Sequence, residues 1–254
     1  MTVPWWLPQL GRAFVETGRA IVRAWPFAIG LGLLGMMASS VLQVMVVGVV
    51  TPPWTLTMIE QARELDRWPR RRVRSMRRLG DLGPRAFVAS EDAKFFLHHG
   101  FDWGAICSVA TSGQSRGAST ISQQVAKNVF LWQARSYTRK LMEAWYTLWL
   151  ETFLSKHRIL ELYMNVAETG PAVFGLEAGA RHHFGKTAKR LSQTEVGRIA
   201  GILPNPKRSI EGKSAWSRAR FIARHPAPFP GDKGFGLQQR HFDDQPHGPW
   251  SCFE

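Results

Sequence analysis

The strongest constraint on this chain is an uninterrupted apolar run near its start. From Phe27 to Val50 there is no charged side chain, and Ser39, Ser40 and Gln43 are the few polar ones. A helix rising about 1.5 Å per residue over that stretch exceeds a hydrocarbon core of about 30 Å. In lipid, a helix satisfies all its backbone polar groups internally, so residues 27–50 read as one membrane-spanning helix. Pro52 and Pro53 lack the N–H a helix needs and end it. The apolar part of a cleaved signal peptide is shorter, about 7–15 residues, so the span reads as a retained anchor. The arm before it, residues 1–26, carries Trp5, Trp6 and Trp25, which suit a bilayer interface. Arginines flank the span on both sides, and their count alone does not orient it.

Beyond the span about 200 residues remain, enough for one well-cored domain or two small lobes sharing a cleft. Lysine and arginine total 33 against 19 acids, a formal net charge of +14. That balance calls for an anionic partner: nucleic acid, a membrane surface or a phosphorylated substrate. Residues 52–84 concentrate it, with Arg63, Arg67, Arg70, Arg71, Arg72, Arg74, Arg77 and Arg78 in one connector. No helix-turn-helix, zinc-finger or RNA-recognition pattern accompanies them. A lipid-headgroup-facing surface is the better reading, and no nucleic acid is expected. Cys107 and Cys252 form no CxxC pair, which argues against a disulfide scaffold or a thiolate zinc site. The histidines include the neighbours His98–His99 and His182–His183 but no HExxH, so no metal ligands are assigned.

From Gly83 to about Arg224 the chain reads as mostly helical. Ile121, Val125 and Val129 recur at helical spacing. Arg139 to Asn165, free of Gly and Pro, is the longest continuous helical pattern. Ser192-Gln-Thr-Glu195 is a capping box ahead of Val196, Ile199 and Ile202. Strand signals are weak. From His225 onward Pro, Gly and His dominate without periodicity, and residues 225–254 read as an irregular tail.

Three clusters carry chemistry. In the first, Glu91 and Asp92 stand near Lys94, His98 and His99 against Phe95 and Phe96. An acid desolvated by aromatic rings has its pKa raised, which suits a base; the plainer reading is a helix cap. The second runs Gly117-Ala118-Ser119-Thr120-Ile-Ser122-Gln123-Gln124-Val-Ala-Lys127-Asn128. Its small residues lead into a helix start whose N–H groups are able to hold phosphate or sugar oxygens, with Lys127 as a point charge; an ordinary capped helix is the alternative. In the third, Arg139 and Glu143 share a helix face at i,i+4 beside Lys140, the spacing of a surface ion pair as well as of a site. Glu151 is rotated about 80° from Glu143 around that helix and reads as structural.

Taken in order, the stretches EDAKFFLHHGFDW, GASTISQQVAKNVFL, RKLMEAWYTLWLE, KHRILELYMNVAETGPAVFGLEAGARHHFGK and LSQTEVGRIAGILPNPKR are specific. The chain resembles the family-51 glycosyltransferases, the peptidoglycan glycosyltransferases, and among them the monofunctional single-domain branch rather than the bifunctional penicillin-binding proteins. The resemblance covers roughly Pro52 to Arg208. The family usually has Gly-Gly-Ser-Thr where this chain has Gly117-Ala118-Ser119-Thr120; a positive φ at position 118 would make the extra Cβ a strain.

The resemblance implies a mainly α, lysozyme-like, two-lobed glycosyltransferase domain over residues 51–224, behind one N-terminal transmembrane helix. It implies polymerisation of lipid II, an undecaprenyl-pyrophosphate disaccharide-pentapeptide, into β-1,4-linked strands with inversion. Glu91 matches the catalytic base and Glu143 the second essential glutamate. Lys127, Arg139 and Lys140 would stabilise the leaving diphosphate. Ser119, Thr120, Gln123, Gln124 and Asn128 would position sugar and phosphate oxygens. His98 is expected to be structural, and Asn165, Glu168, Gly170 and Gly175 to line or brace the cleft. A divalent cation, Mg or Mn, is compatible with this chemistry, and no other cofactor is implied. The partners implied are lipid II, the growing strand, membrane lipids and cell-wall synthesis proteins. The domain would sit on the outer face of the cytoplasmic membrane. The rival readings are a lysozyme-like hydrolase, which has no need of cations at a leaving pyrophosphate, and an inactive scaffold that binds lipid-linked precursor.

Overall fold

The computed structural model describes residues 7–112, 118–134 and 136–243. Trp5, Trp6, Gly117 and residues 244–254 of the tail lie outside the described residues. Two compact units divide the chain, residues 1–43 and 44–254. Helix α1 (Leu7–Val49) begins within the arm, well before the apolar run, and passes through Pro26. Its stretch Trp25–Val49 has a mean hydropathy of 1.9 and is long and apolar enough to cross a membrane. Phe27, Leu31 and Leu42 are exposed along it.

The second unit takes in the last turn of α1 and then α2 (Leu56–Glu64), β1 (Arg70–Arg71), α3 (Met76–Leu79), α4 (Leu82–Glu91), α5 (Trp103–Ser112), α6 (Ile121–Phe130), α7 (Tyr137–Phe153) and α8 (Lys156–Val166). There follow β2 (Glu168–Gly170), β3 (Val173–Phe174), α9 (Leu176–Phe184), α10 (Gln193–Ile202), α11 (Lys213–Arg224) and α12 (Phe235–Asp243). The strands form a small sheet in the order β1-β3-β2, with β1 parallel and β2 antiparallel to β3. Phe87, Phe95, Leu150, Ile159, Leu160 and Tyr163 are fully buried and form the heart of the core between α4, α6, α7 and α8. Helices α10 and α11 cross closely because glycine faces alanine. A Cβ on Gly197 would lie 2.9 Å from the Ala219 Cα, and one on Gly201 3.1 Å from that of Ala215.

The pattern Arg139–Asn165 is two helices rather than one. Leu154 turns extended at φ −110°, ψ 144°, and Ser155 caps α8 by accepting from the Arg158 N–H at 3.3 Å. A serine cap breaks a helix without the Gly or Pro that sequence reading looks for. The capping box at Ser192 is present as expected. The tail differs from the expectation of irregular chain, since it holds α12 and packs through single anchors. Ala227 is buried, the Phe229 ring lies 4.6 Å from that of Phe96, and Arg85 pairs bidentately with Asp232 at 2.8 and 2.9 Å. Isolated anchors leave no periodicity to read.

Candidate active site

Glu91 is the last residue of α4, where the helix delivers it to the buried end of α6. Its carboxylate accepts from Gln124 Nε2 at 3.1 Å and from Ser90 Oγ at 3.3 Å. Burial pushes its pKa up, opposed by those two donors and by the charge of Arg218, and assisted by Asp92. Gln124 is itself oriented, because Tyr163 Oη donates to its Oε1 at 3.0 Å. The amide oxygen is thus held toward Tyr163 and the amide N–H toward Glu91. Burial, with help from Glu91 and Asp92, drives the Tyr163 pKa well up, which keeps the phenol protonated as a donor. Neither Tyr163 nor Arg218 was marked by its sequence context. Tyr163 sits in an apolar helix pattern, and Arg218 arrives from α11, donating to the Ser90 carbonyl at 3.0 Å.

Asp92 has a different task. It accepts from His98 Nε2 at 3.0 Å and from the Ile121 N–H at 2.9 Å, so it caps the first turn of α6 and ties in the buried His98. His98 thereby holds the structural place expected of it. Thr120 and Gln123 are also turned into the fold. They form a reciprocal capping box, and the Thr120 hydroxyl donates to the Gly100 carbonyl at 2.6 Å. Both are buried and brace the helix that carries the site. Among the described non-glycine residues, positive φ is found at Asp66 and Ala172; the φ of Ala118 turns on Gly117, which lies outside the described residues.

Gln124, Lys127 and Asn128 line a cavity of about 210 Å³ together with Tyr163 and Glu168. The Lys127 ammonium makes no hydrogen bond or ion pair among the described residues. Burial lowers its pKa first; Arg139 and Lys140 push it the same way, while Glu143 and Glu91 pull it back. One ammonium therefore feels both glutamates. Glu143 is buried at 3% exposure on α7, clamped by Arg139 Nη1 at 2.7 Å and by Lys140 Nζ. Lys140 also reaches Ser119 Oγ at 3.3 Å. Glu151 is structural as read, bonded to Ser122 and to Lys156 at 2.8 Å. Glu168 has its pKa raised by burial and accepts from the Ala172 N–H at 3.2 Å. Asn165 ties α8 to the segment that follows β1, bonding the backbone of Arg74 in both directions.

The arrangement offers a desolvated carboxylate held by neutral donors, and a cationic group of Lys127, Arg139 and Lys140 beside it. That is the equipment for taking a proton from a hydroxyl and receiving an anionic leaving group. It does not fit a resident divalent cation. Glu143 already holds two cations, Lys127 adds a third positive charge, and no three His, Cys, Asp or Glu side chains gather among the described residues.

The transglycosylase family model matches residues 58–225. A protein of Pseudomonas aeruginosa named biosynthetic peptidoglycan transglycosylase is 44% identical over 219 residues, covering 82% of this chain and 88% of its own. Proteins of the same name from Xanthomonas campestris and Xylella fastidiosa are 48% and 40% identical, over 70% and 77% of this chain and 80% and 85% of their own. The mainly helical unit, the order of its motifs and these matches establish that the chain belongs to the transglycosylase family, with its lysozyme-like fold.

Proposed function

We propose that this transglycosylase is a peptidoglycan glycosyltransferase that polymerises lipid II with inversion, Glu91 acting as general base. The observation that carries the reading is the Tyr163–Gln124–Glu91 hydrogen-bond chain, whose Tyr163 and Gln124 line a cavity together with Lys127. An acceptor 4-hydroxyl gives its proton to Glu91 as its oxygen attacks the donor anomeric carbon. The bond to the lipid pyrophosphate breaks, and the departing diphosphate takes the electron pair. Lys127, Arg139 and Lys140 meet that charge, and Glu143 fixes the two cations of α7 in place. In this reading Asn128 and Ser119 hold sugar and phosphate oxygens. The apolar helix α1 is the anchor in this reading, holding the site at a bilayer from which the substrate's lipid tail does not leave.

The names of the relatives support the substrate class, and the lone oriented base beside cations supports transfer over hydrolysis. The test is polymerisation of labelled lipid II by the detergent-solubilised chain beside Glu91→Gln. Native protein is expected to make glycan polymer, and the variant to lose at least ~100-fold in rate, the scale for removing a general base. Polymer formed equally by both sinks the assignment of Glu91. No polymer from a folded native chain sinks the reaction.

A further inference from the structure

The arginine connector builds a second feature, whose lining shares no residue with the cavity lined by Lys127. Three depressions follow one another and share lining residues. The first, about 590 Å³, is apolar in character, with Trp54, Ile59 and Trp68 around it. The second, about 450 Å³, shares Arg67, Trp68 and Pro69 with it and adds Arg70 and His182. The third, about 420 Å³, shares Arg70 and His182 and adds Arg72 and Arg181. Together they make one groove, apolar at one end and cationic at the other.

Its cations outnumber its acids. Asp66, at the apolar end, is the one carboxylate among the residues lining the three depressions. Arg181 is paired with Glu177 at 2.8 Å, but Arg67, Arg70 and Arg72 make no ion pair among the described residues. Arg70 Nη1 lies 3.4 Å from His182 Nδ1, the contact of a cation with a neutral ring. The apolar end is bare as well. Trp68 is 85% and Trp54 50% exposed, their rings edge to face at 6.4 Å. Exposed tryptophan beside unpaired arginine is the composition of a membrane–water interface.

The chain path puts the groove there. Trp54 follows the end of α1 at Val49 by five residues, a reach on the order of 17 Å at full extension. Arg71, within β1, donates to the Pro53 carbonyl at 2.8 Å and to that of Pro52, so the strand that carries Arg70 is pinned against the exit of the apolar helix.

We propose that this groove binds an anionic phospholipid of the bilayer, its phosphate on Arg67, Arg70 and Arg72 and its glycerol and upper acyl chain against Trp54 and Trp68. The assignment rests on α1 being a membrane anchor. An anionic lipid matches both ends at once, whereas a free phosphate leaves the tryptophan end uncovered. A zwitterionic lipid brings its own cation into an arginine cluster.

The experiment places the full chain in nanodiscs of phosphatidylcholine carrying brominated phosphatidylglycerol or, at the same mole fraction, brominated phosphatidylcholine. The readout is the tryptophan quenching that disappears in Trp68→Phe. The Trp68-dependent quenching is expected to favour phosphatidylglycerol. Each arginine changed to glutamine should lower that preference about fivefold, the effect of one basic side chain at an anionic surface. The combined Arg67→Gln, Arg70→Gln, Arg72→Gln variant should abolish it while polymerisation in detergent is retained. The changed side chains are exposed and make no ion pair among the described residues, and the folded state of the variant is checked by its unfolding midpoint. Equal quenching by both lipids overturns the site, as does a preference that survives the triple change. So does a preference erased by inorganic phosphate at constant ionic strength, which would make the groove a free-phosphate site. Co-elution of the chain with nanodiscs reports the anchor separately. A chain that inserts and shows no preference loses the groove alone, and one that does not insert loses both.

Discussion

Glu91 and Asp92 are neighbours whose partners set opposite roles. Asp92 receives a histidine and a backbone N–H and holds α6 in place, while Glu91 receives only neutral donors inside a desolvated pocket. A carboxyl whose folded pKa is raised contributes stability that is present in full below its unfolded pKa and is lost as pH rises through the folded value. At neutral pH, Glu91→Gln is therefore expected to be at least as stable as the native chain, by up to about 1 kcal/mol, while polymerisation collapses. The advantage should vanish in mildly acidic buffer, where the native carboxyl also holds its proton. Thermal unfolding of both proteins across pH checks this, and a variant less stable at neutral pH would contradict it. Tyr163→Phe acts through Gln124. Loss of the phenol frees the amide to turn, weakening the donor that draws the Glu91 pKa down. Polymerisation should fall roughly three- to tenfold, for a hydrogen bond worth about 1 kcal/mol, and the acidic limb of the rate profile should shift to higher pH. A slower enzyme with an unmoved limb would mean that Tyr163 serves packing alone.

Elements were legible where local chemistry repeats. The Ser192 capping box and the apolar spacing of α6 were readable because a helix start and a helix face have short-range signatures. The break at Leu154–Ser155 was not, since serine caps helices and also occurs within them. The same limit blurred the site. Glu91, Glu143 and Lys127 were picked out as charged groups in suggestive company, but nothing local told Gln124 from Gln123. Both lie in the first turn of α6; Gln123 closes the capping box, and Gln124, one residue on, faces the cavity. Gly100 shows how an element is placed by a contact remote in sequence. It sits at φ +88°, and a Cβ there would come within 2.9 Å of Thr147 Cγ2 and 3.0 Å of Glu151 Cγ, while its carbonyl receives the Thr120 hydroxyl. Gly100→Ala should cost about 1–3 kcal/mol from strain and overpacking together. Ser155→Ala should cost about 1 kcal/mol from a lost cap. Chemical denaturation of the two variants orders them, and a reversed order would show that the loop around Gly100 yields where the α7–α8 junction does not.

At the scale of the whole molecule, the catalytic unit grips the emerging end of α1 with two arginines. Arg158 donates to the Val47 carbonyl at 2.7 and 3.1 Å and to Thr51 Oγ1 at 3.1 Å, satisfying a last-turn acceptor where a helix carries partial negative charge. Arg71 donates to the carbonyls of Pro52, Pro53 and Asn165, and burial lowers its pKa to about 10. Asn165 lies just before β2, whose Glu168 lines the cavity, so one guanidinium joins the exit of the apolar helix to the strand pair beside the site. Only a planar fork spans three carbonyls in this way; a lysine reaches one or two and leaves the rest buried without a donor. Arg71→Lys, although it keeps the charge, is expected to lose about 2–3 kcal/mol of stability, close to the loss in Arg71→Gln. If the grip also fixes how the cavity meets a bilayer, polymerisation by Arg71→Lys should fall further in proteoliposomes than in detergent, where the anchor bears no load. Equal losses in the two media would confine Arg71 to stabilising the folded unit, and full activity in both would show that the junction transmits nothing to the site.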